Sequence, residues 1–533
     1  MKYLILGSGI AGMAAAEAIR GRDEEAEIQM ISAEQELCFN RPMLIGEFAL
    51  DGSGAALFEK QQSWPQQFGV DVKLGCRAES IDREAKTVRL AVPDGEGESR
   101  TETESYDKLI YALGAHVTVP PIPGADGDNV YVVRTREDMS KIREAMRHAK
   151  HAVVIGGGML GLEDAWAMRE QKLDVAVVEQ KQRVAFGQID QSAGNLMKKR
   201  IERMGVPVYV NATVTEIGDG YVSFRQEIPA SAVATADDAA AASETAERQS
   251  EIEVVTIPAD LVILSTGVTP NCTLGAEAGL EVTGRSAANC CDSNQAGRSA
   301  ANCCDSNPPD PVSVAAEACD GCDACCGNLD SDACCGSLDA GACWIAVDEY
   351  CRTSDPDIFA AGDCAAVNGR NDAIWDEARE MGRVAGTNAV LSEGDETNAV
   401  LSEGDGLRAT PVESDAASAA LQVYSPVVAE HIFTGFDTEV FTMADSSGAG
   451  TDGVYIRHAD VEIFDYQRER YIRVSLQDGI IAGILLINAS ELAPELMDAY
   501  HRGAGEEEAR QIILRWRQSH EVDFKPAASF RRR

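Results

Sequence analysis

The sequence predicts an α/β protein built from two Rossmann-like, doubly wound halves with a small α+β domain behind them. Three observations predict it. A strand that runs straight into G-x-G-x-x-G and then into a helix occurs twice, at Gly7–Gly12 and at Gly156–Gly161. Near the C-terminus, YIRVSL and IIAGILLI flank Asp478-Gly479, a hairpin signal of the type I′ kind.

The first unit sets the apolar run Tyr3–Leu6 before GSGIAG and follows it with the helical pattern Met13–Ile19. Such a turn aims backbone N–H groups and the positive end of a helix dipole at a pyrophosphate. Gly7 permits the tight turn, Gly9 lets the backbone approach the phosphates, with Ile10 and Ala11 beside it, and Gly12 lets helix and strand pack closely. The next strand, Ala26–Ile31, ends in Ser32-Ala33-Glu34, so an acid arrives about 20 residues after the glycines, where an adenosine ribose needs an acceptor.

Periodicity leaves ELCFNRPMLIGEF, 36 to 48, uninterpreted. A buried strand, Lys108–Ala112, then runs into Gly114, and prolines 120, 121 and 123 suit a crossing between domains. The second unit follows: strand Ala152–Ile155, glycines 156, 158 and 161, a helix, and the strand Val175–Val178 ending at Glu179. Glu179 accepts from a ribose 2′-OH and repels a 2′-phosphate, which favours NAD over NADP, while Lys181 and Arg183 pull the other way. Residues 230–251 form an alanine-rich polar excursion, and ADLVILSTGVTPN resumes order with a strand leading to Gly267.

Three tandem duplications come next, GRSAANCCDSN at 284 and 297, DACCG-x-LD at 323 and 332, and TNAVLSEGD at 387 and 397. Units so short and polar cannot stack into a solenoid core and are expected as surface loop expansions. Between the last two pairs, DIFAAGDCA brings Gly362 and Asp363 to the end of a strand, where a helix is expected to begin. The chain closes with the hairpin and a helix over Ala493–His501.

Composition narrows the function. With 47 Lys and Arg against 87 Asp and Glu, the net charge of −40 repels nucleic acid and anionic membrane, and no apolar run approaches spanning length. A soluble, cytoplasmic protein is expected. Eleven of the sixteen cysteines crowd between Cys290 and Cys343, leaving the body cysteine-poor. Within that insert Cys319, Cys322 and Cys325 open an iron–sulfur-like run without the ferredoxin continuation. The doublets there are thiolate pairs that zinc or copper(I) would take, and a disordered surface loop is the competing reading.

In combination and order, GSGIAG with Glu34, FNRPML, YDKLIYALGA, GGGMLGLE with Glu179, STGVTPN and TSDPDIFAAGDCA resemble the FAD-dependent pyridine nucleotide-disulfide oxidoreductases. Within them, the likeness is to NADH:rubredoxin reductases, ferredoxin-reductase-like flavoproteins and the flavoprotein part of nitrite reductases. The resemblance implies FAD on Gly7, Gly9 and Gly12 with Glu34 on its ribose. It places Asp363, after Gly362, on the ribityl-pyrophosphate portion, and Asn40, Arg41 and Pro42 near the flavin ring. Ala112, Gly114 and Gly267 belong to the matching turns. It places NADH on Gly156, Gly158 and Gly161, with Glu179 on its ribose and Glu163 near its nicotinamide, Glu163 being equally readable as a first-turn helix acid.

The implied domains are an FAD part in two segments, 1–118 and 257–386 with the insert 284–343, around an NAD part at 119–256. A repeat-containing linker, 387–422, leads to an interface domain, 423–517, expected to support a homodimer, and a basic tail, 518–533. Pro42 stands where relatives that reduce disulfides or O2 place a cysteine, so electrons are expected to leave FAD directly, with no catalytic acid or base. Ile45-Gly46 and Leu113 depart from the usual Ser-Lys and Thr. A small carrier of the rubredoxin or ferredoxin kind is the leading acceptor. An NADH oxidase, the flavin component of a nitrite reductase, and a redox sensor or metal-handling adaptor using the cysteine-rich loop stand as alternatives. Seven basic against two acidic residues from Arg510 to Arg533 offer a docking patch for an acidic carrier or a solubilising end.

Overall fold

Tyr3, Leu4, Ile5 and Leu6 form a continuous run without polar alternation, and all four are buried in the middle of a parallel sheet. The computed structural model describes residues 1–37, 41–48, 63–94, 99–228, 251–284, 343–392, 421–428, 430–444, 461–465 and 468–519. The first sheet runs Ile358–Ala360, Lys108–Tyr111, Lys2–Leu6, Glu27–Ile31, Val70–Lys73, all parallel. Leu6 pairs with both Ile31 and Tyr111, so three strands end level and deliver Gly7, Ser32 and Ala112 to one edge.

The second sheet repeats the plan with Val208–Tyr209, Asp174–Val178, His151–Ile155, Leu261–Leu264 and Val130–Val132, again all parallel. Each half carries a three-stranded antiparallel sheet, Arg77–Asp82 with Thr87–Pro93 and Ser99–Ser105 in the first, Ala212–Gly218 with Gly220–Ile228 and Glu251–Ala259 in the second. Where the chain crosses between halves, Ala115–Val117 pairs antiparallel with Val268–Pro270.

The first glycine helix, Ile10–Arg20, is backed by the long helix Trp375–Leu391. Alanine against glycine makes that crossing close: a Cβ on Gly382 would lie 2.1 Å from the Ala11 carbonyl oxygen, and one on Gly386 2.3 Å from that of Ala15. The third domain is a five-stranded antiparallel sheet ordered Glu430–Gly435, Thr438–Ala444, Ile480–Ile487, Arg470–Gln477, Val461–Asp465. Asp478 and Gly479 have φ of 52° and 80°, as its type I′ hairpin turn requires. Helices Ala493–His501 and Glu506–Ser519 cover one face through Leu496, Ile512, Ile513 and Trp516. The domain docks on the second half: Asp190, which caps the helix Gln191–Arg203, also accepts from the Tyr471 hydroxyl and from Arg473 at 2.8 Å, and Trp166 meets Phe436 at 5.0 Å.

Several expectations are corrected. No helix begins at Asp363; it sits in a turn between Ile358–Ala360 and Ala365–Val367, and the helix waits until Trp375. Gly362 at φ +80° turns the chain there, and the Asn371 amide holds the carbonyls of Gly362 and Ala365 at 3.1 and 2.6 Å. The first copy of TNAVLSEGD is no surface loop at its start, because 387–391 continue the long helix with Thr387, Asn388 and Ala389 buried. Asn388 reaches the backbone of Tyr350 and Gln422 and so anchors the chain on both sides. Cys343 does not belong to the insert's thiols. It opens the strand Cys343–Val347 and forms a disulfide with Cys272. The cysteine doublets, the second copy of TNAVLSEGD and the other two duplications from residue 285 onward lie outside the described residues. In the basic stretch, Arg510 pairs with Glu506 and Arg515 with Glu495, so the local surplus of positive charge is smaller than the count from Arg510 implies.

Candidate functional site

The two glycine turns are superimposable in logic. Gly7, at φ +106°, donates its N–H to the Ile31 carbonyl at 2.8 Å, and a Cβ there would lie 2.1 Å from the Ala112 carbonyl oxygen. A Cβ on Gly12 would meet the Gly7 carbonyl oxygen at 2.1 Å, yet one on Gly9 meets nothing within 4 Å. Gly156, at φ +112°, repeats the contact against the Ser265 carbonyl at 2.1 Å, Gly161 against that of Gly156 at 2.1 Å, and Gly158 again faces open space. The helices Ile10–Arg20 and Met159–Glu170 start at Gly9 and Gly158 with no side-chain cap. Outer glycines forced by packing, a middle glycine facing space and uncapped N–H donors are what a pyrophosphate fits.

Both halves line one cleft of about 1440 Å³, beyond the roughly 300–1,000 Å³ of ordinary small-ligand sites and suited to more than one nucleotide. Gly7, Gly9, Ile10, Ala11 and Glu34 line it from the first cradle. Arg41 and Pro42 come from the 3-10 turn Arg41–Phe48, and Ala112, Gly114, Gly267, Gly362 and Asp363 from strand ends brought together by the sheet. Glu163 enters from the second half with Met159 and Leu160. Gly12 packs beneath the cleft, and Gly156, Gly158, Gly161 and Glu179 sit at the edge of the second sheet, outside the cleft lining. Asn40 lies outside the described residues.

Polar contacts lock the cleft's walls. The Arg134 guanidinium pairs with Asp363 at 2.9 Å, Arg41 pairs with Glu34 and donates to the Arg134 carbonyl at 2.6 Å, and the Ser8 hydroxyl meets that of Ser32 at 2.7 Å. The long helix opens on the cleft through Ile374 and Trp375, its N-cap without a side-chain partner. Behind it, Glu377 accepts from the Asp372 N–H at 3.0 Å and the Tyr424 hydroxyl at 2.9 Å, and burial raises its pKa.

Glu179 is held by its own neighbourhood: its carboxylate accepts from the Gly157 N–H at 2.5 Å and the Lys181 N–H at 2.6 Å. Arg183 is buried, donates to the carbonyls of Ile189 and Phe186 at 2.9 and 3.0 Å, and lies over the Phe186 ring. Its charge therefore serves a loop and not a phosphate, and of the two cations after Glu179 only Lys181 faces solvent. Burial pushes the Glu163 carboxyl up to about 7.

Sequence reading missed Arg134, Asp164, the Tyr111 hydroxyl that donates to the Asn271 carbonyl at 2.8 Å, and the third-domain residues Glu430, His431 and Ile432. Only Asp164 had a local signal, as the residue beside Glu163 on the same helix; the others reach the cleft through tertiary packing.

The chain belongs to the pyridine nucleotide-disulphide oxidoreductase family, whose profile matches residues 1–295 and 337–385. Its cofactors are those of the family, FAD and NAD. The chain is 26% identical over 395 residues to the large subunit of nitrite reductase (NADH) of Escherichia coli (strain K12), a match spanning 74% of this chain and 36% of that one. It is 31% identical over 281 residues to the ferredoxin–NAD(+) reductase component of the anthranilate 1,2-dioxygenase system of Burkholderia cepacia, spanning 52% of this chain and 62% of that one. These matches leave more than a third of each relative's length uncovered. In fold, the chain resembles an NAD-dependent persulfide reductase from A. fulgidus with a TM-score of 0.65 at 23% identity, over 99% of this chain and 80% of that one. No described helix is long and apolar enough to cross a membrane.

Proposed function

We propose that this protein passes a hydride from NADH to FAD and hands the electrons to a small protein carrier of the ferredoxin or rubredoxin class. One observation carries the reading: a single cleft is lined from both halves, by Gly9 and Asp363 on one side and by Leu160 and Glu163 on the other, so two nucleotides held on the two cradles would meet within it.

FAD, when bound, supplies the hydride acceptance and the electron release. The side chains then have positioning work. The N–H groups after Gly7 and Gly9 hold the pyrophosphate, and Glu34, with Arg41 on one carboxylate oxygen, offers the other to the ribose. Asp363, oriented by Arg134, takes the ribityl hydroxyls, while Arg41 and Pro42 border the ring. On the other nucleotide, Gly156, Gly158 and Gly161 take the pyrophosphate, Glu179 takes the adenosine ribose and Glu163 borders the nicotinamide. With Arg183 committed to its loop, Glu179 favours a 2′-hydroxyl over a 2′-phosphate, hence NADH over NADPH.

The acceptor assignment draws on the cleft's chemistry. Among the described residues the cleft is lined by one cysteine, Cys76, a buried thiol that donates to the Leu74 carbonyl and whose pKa burial raises. No dithiol among those residues stands between FAD and an outside acceptor, and the Burkholderia relative is named for a ferredoxin. The test is to mix the FAD-loaded protein with NADH under nitrogen and follow flavin absorbance, then add ferredoxin, rubredoxin or air. Rapid bleaching, with reoxidation faster by a carrier than by O2, is the expected result. Absent bleaching would sink the oxidoreductase reading, and fastest reoxidation by air would replace the carrier with O2.

A further inference from the structure

Met159, Leu160, Glu163 and Asp164, at spacings of one, four and five, make one face of the second glycine helix, and all four line the cleft. Asp164 is the unusual member. It is only 4% exposed, and among the described residues it has neither a hydrogen-bond donor nor a cation paired with it. A carboxylate so placed is costly to keep charged.

We propose that Asp164 and Glu163 form a carboxyl pair that gives up one proton when the cationic, oxidised nicotinamide ring occupies the cleft, so that the site recognises NAD+ through a proton it releases. The inference rests on the nucleotide placement proposed above. When NADH is oxidised, its C4–H bond breaks, the hydrogen leaves with the electron pair for the flavin, and the ring becomes a cation. An O–H bond of the carboxyl pair then breaks, its proton passes to water, and the new carboxylate faces the new positive charge. One charge is gained and one is lost at the site.

The surroundings leave that role open to this pair. Burial raises Asp164 well above the usual carboxylate range, with the neighbouring Glu163 adding to it. From the third-domain strand Glu430–Gly435 packed on this helix come Glu430 and His431, the latter lowered in pKa chiefly by burial. From the turn Arg41–Phe48 comes Arg41, committed to Glu34, and across the cleft Arg134 is committed to Asp363. The strands beneath the helix bring only His151 and Asp174, at the opposite end of the sheet. Among the described residues no cation pairs with Asp164 to hold it ionised before the nicotinamide arrives.

Calorimetric titration of the FAD-loaded protein in buffers of different ionisation enthalpy tests this, with NAD+ and with ADP-ribose, which lacks the ring. Between pH 6 and 9, NAD+ is expected to bind more tightly as pH rises, by up to about tenfold per unit, with about one proton released per NAD+. ADP-ribose should show a flat affinity and no release. The double substitution Glu163→Gln with Asp164→Asn should abolish both the slope and the release for NAD+ while ADP-ribose still binds. NAD+ binding without proton release in the wild type overturns the inference with no variant needed, as does a release that survives in the double variant. If neither ligand binds, the nucleotide placement itself is wrong.

Discussion

The two halves share a cradle and differ in what surrounds it. In the first, the helix after the glycines is small and apolar, with Ala11, Ala14, Ala15, Ala16 and Ala18 buried and the long helix Trp375–Leu391 pressed against it. Its acid, Glu34, is neutralised by Arg41, and Asp363 by Arg134. In the second, the helix brings Glu163 and Asp164 to the cleft with no cation paired to them among the described residues, and Glu179 is held by backbone N–H groups. The difference teaches how one local motif serves two tasks. Distant segments pack on both helices, but those at the first cradle bring arginines to its acids, while those at the second, the strand Glu430–Gly435 among them, leave Asp164 without a paired cation among the described residues.

The largest expected effect separates the halves by an identical insult. Gly7→Ala places a methyl 2.1 Å from the Ala112 carbonyl at a left-handed φ, and Gly156→Ala does the same against Ser265. Such strain costs about 3 kcal/mol or more. Gly7→Ala should yield protein without bound flavin, read from its visible absorbance. Gly156→Ala should keep its flavin but lose reduction by NADH by at least ~100-fold. Equal flavin loss in both would erase the distinction. Next in size, Glu179→Ala removes the proposed ribose acceptor and should raise the KM for NADH by about 10- to 100-fold, from a loss of about 1–3 kcal/mol. Arg183→Ala should lower the melting temperature without moving the NADH to NADPH ratio, because its bonds are to Ile189 and Phe186.

The acidic second helix also gives a pH signature. Glu163 ordinarily titrates near 4.5 and is held at about 7 in the fold. Between those values the folded protein keeps a proton the unfolded chain has lost, so stability falls as pH rises through this window and levels above it. Glu163→Gln should flatten that slope in denaturant titrations across the same range; an unchanged slope would mean that Glu163 is not its source. Smallest, Tyr471→Phe deletes one bond from the Asp190 junction while Arg473 remains, and should cost about 1 kcal/mol in urea unfolding.

Both cradles were legible because each is a contiguous strand, turn and helix in which neighbours in sequence make the contacts. The hairpin at Asp478-Gly479 and the helix Ala493–His501 were legible for the same reason. Asp363 was legible as a strand-end acid but misread as a helix start, since what holds its turn is the Asn371 side chain eight residues on and Arg134 from the other half. Arg183 looked like a phosphate ligand because a charge near Glu179 reads the same in sequence whether it faces solvent or a loop's carbonyls. A low-complexity repeat hid the end of a buried helix at 387–391, because polarity averaged over the unit masks which residues face inward.

The sequence by itself determined that two strand–glycine–helix turns exist, where each lies, and which acid follows each at the end of the next strand, since glycine spacing and strand ends are local properties of the chain. Tertiary structure alone decided that Arg134 meets Asp363 across 229 positions, that Cys272 joins Cys343 across 71, and that Asp164 faces the cleft with no paired cation among the described residues. Those depend on which sheets and helices pack together, and packing is settled by surfaces that no short stretch of sequence contains.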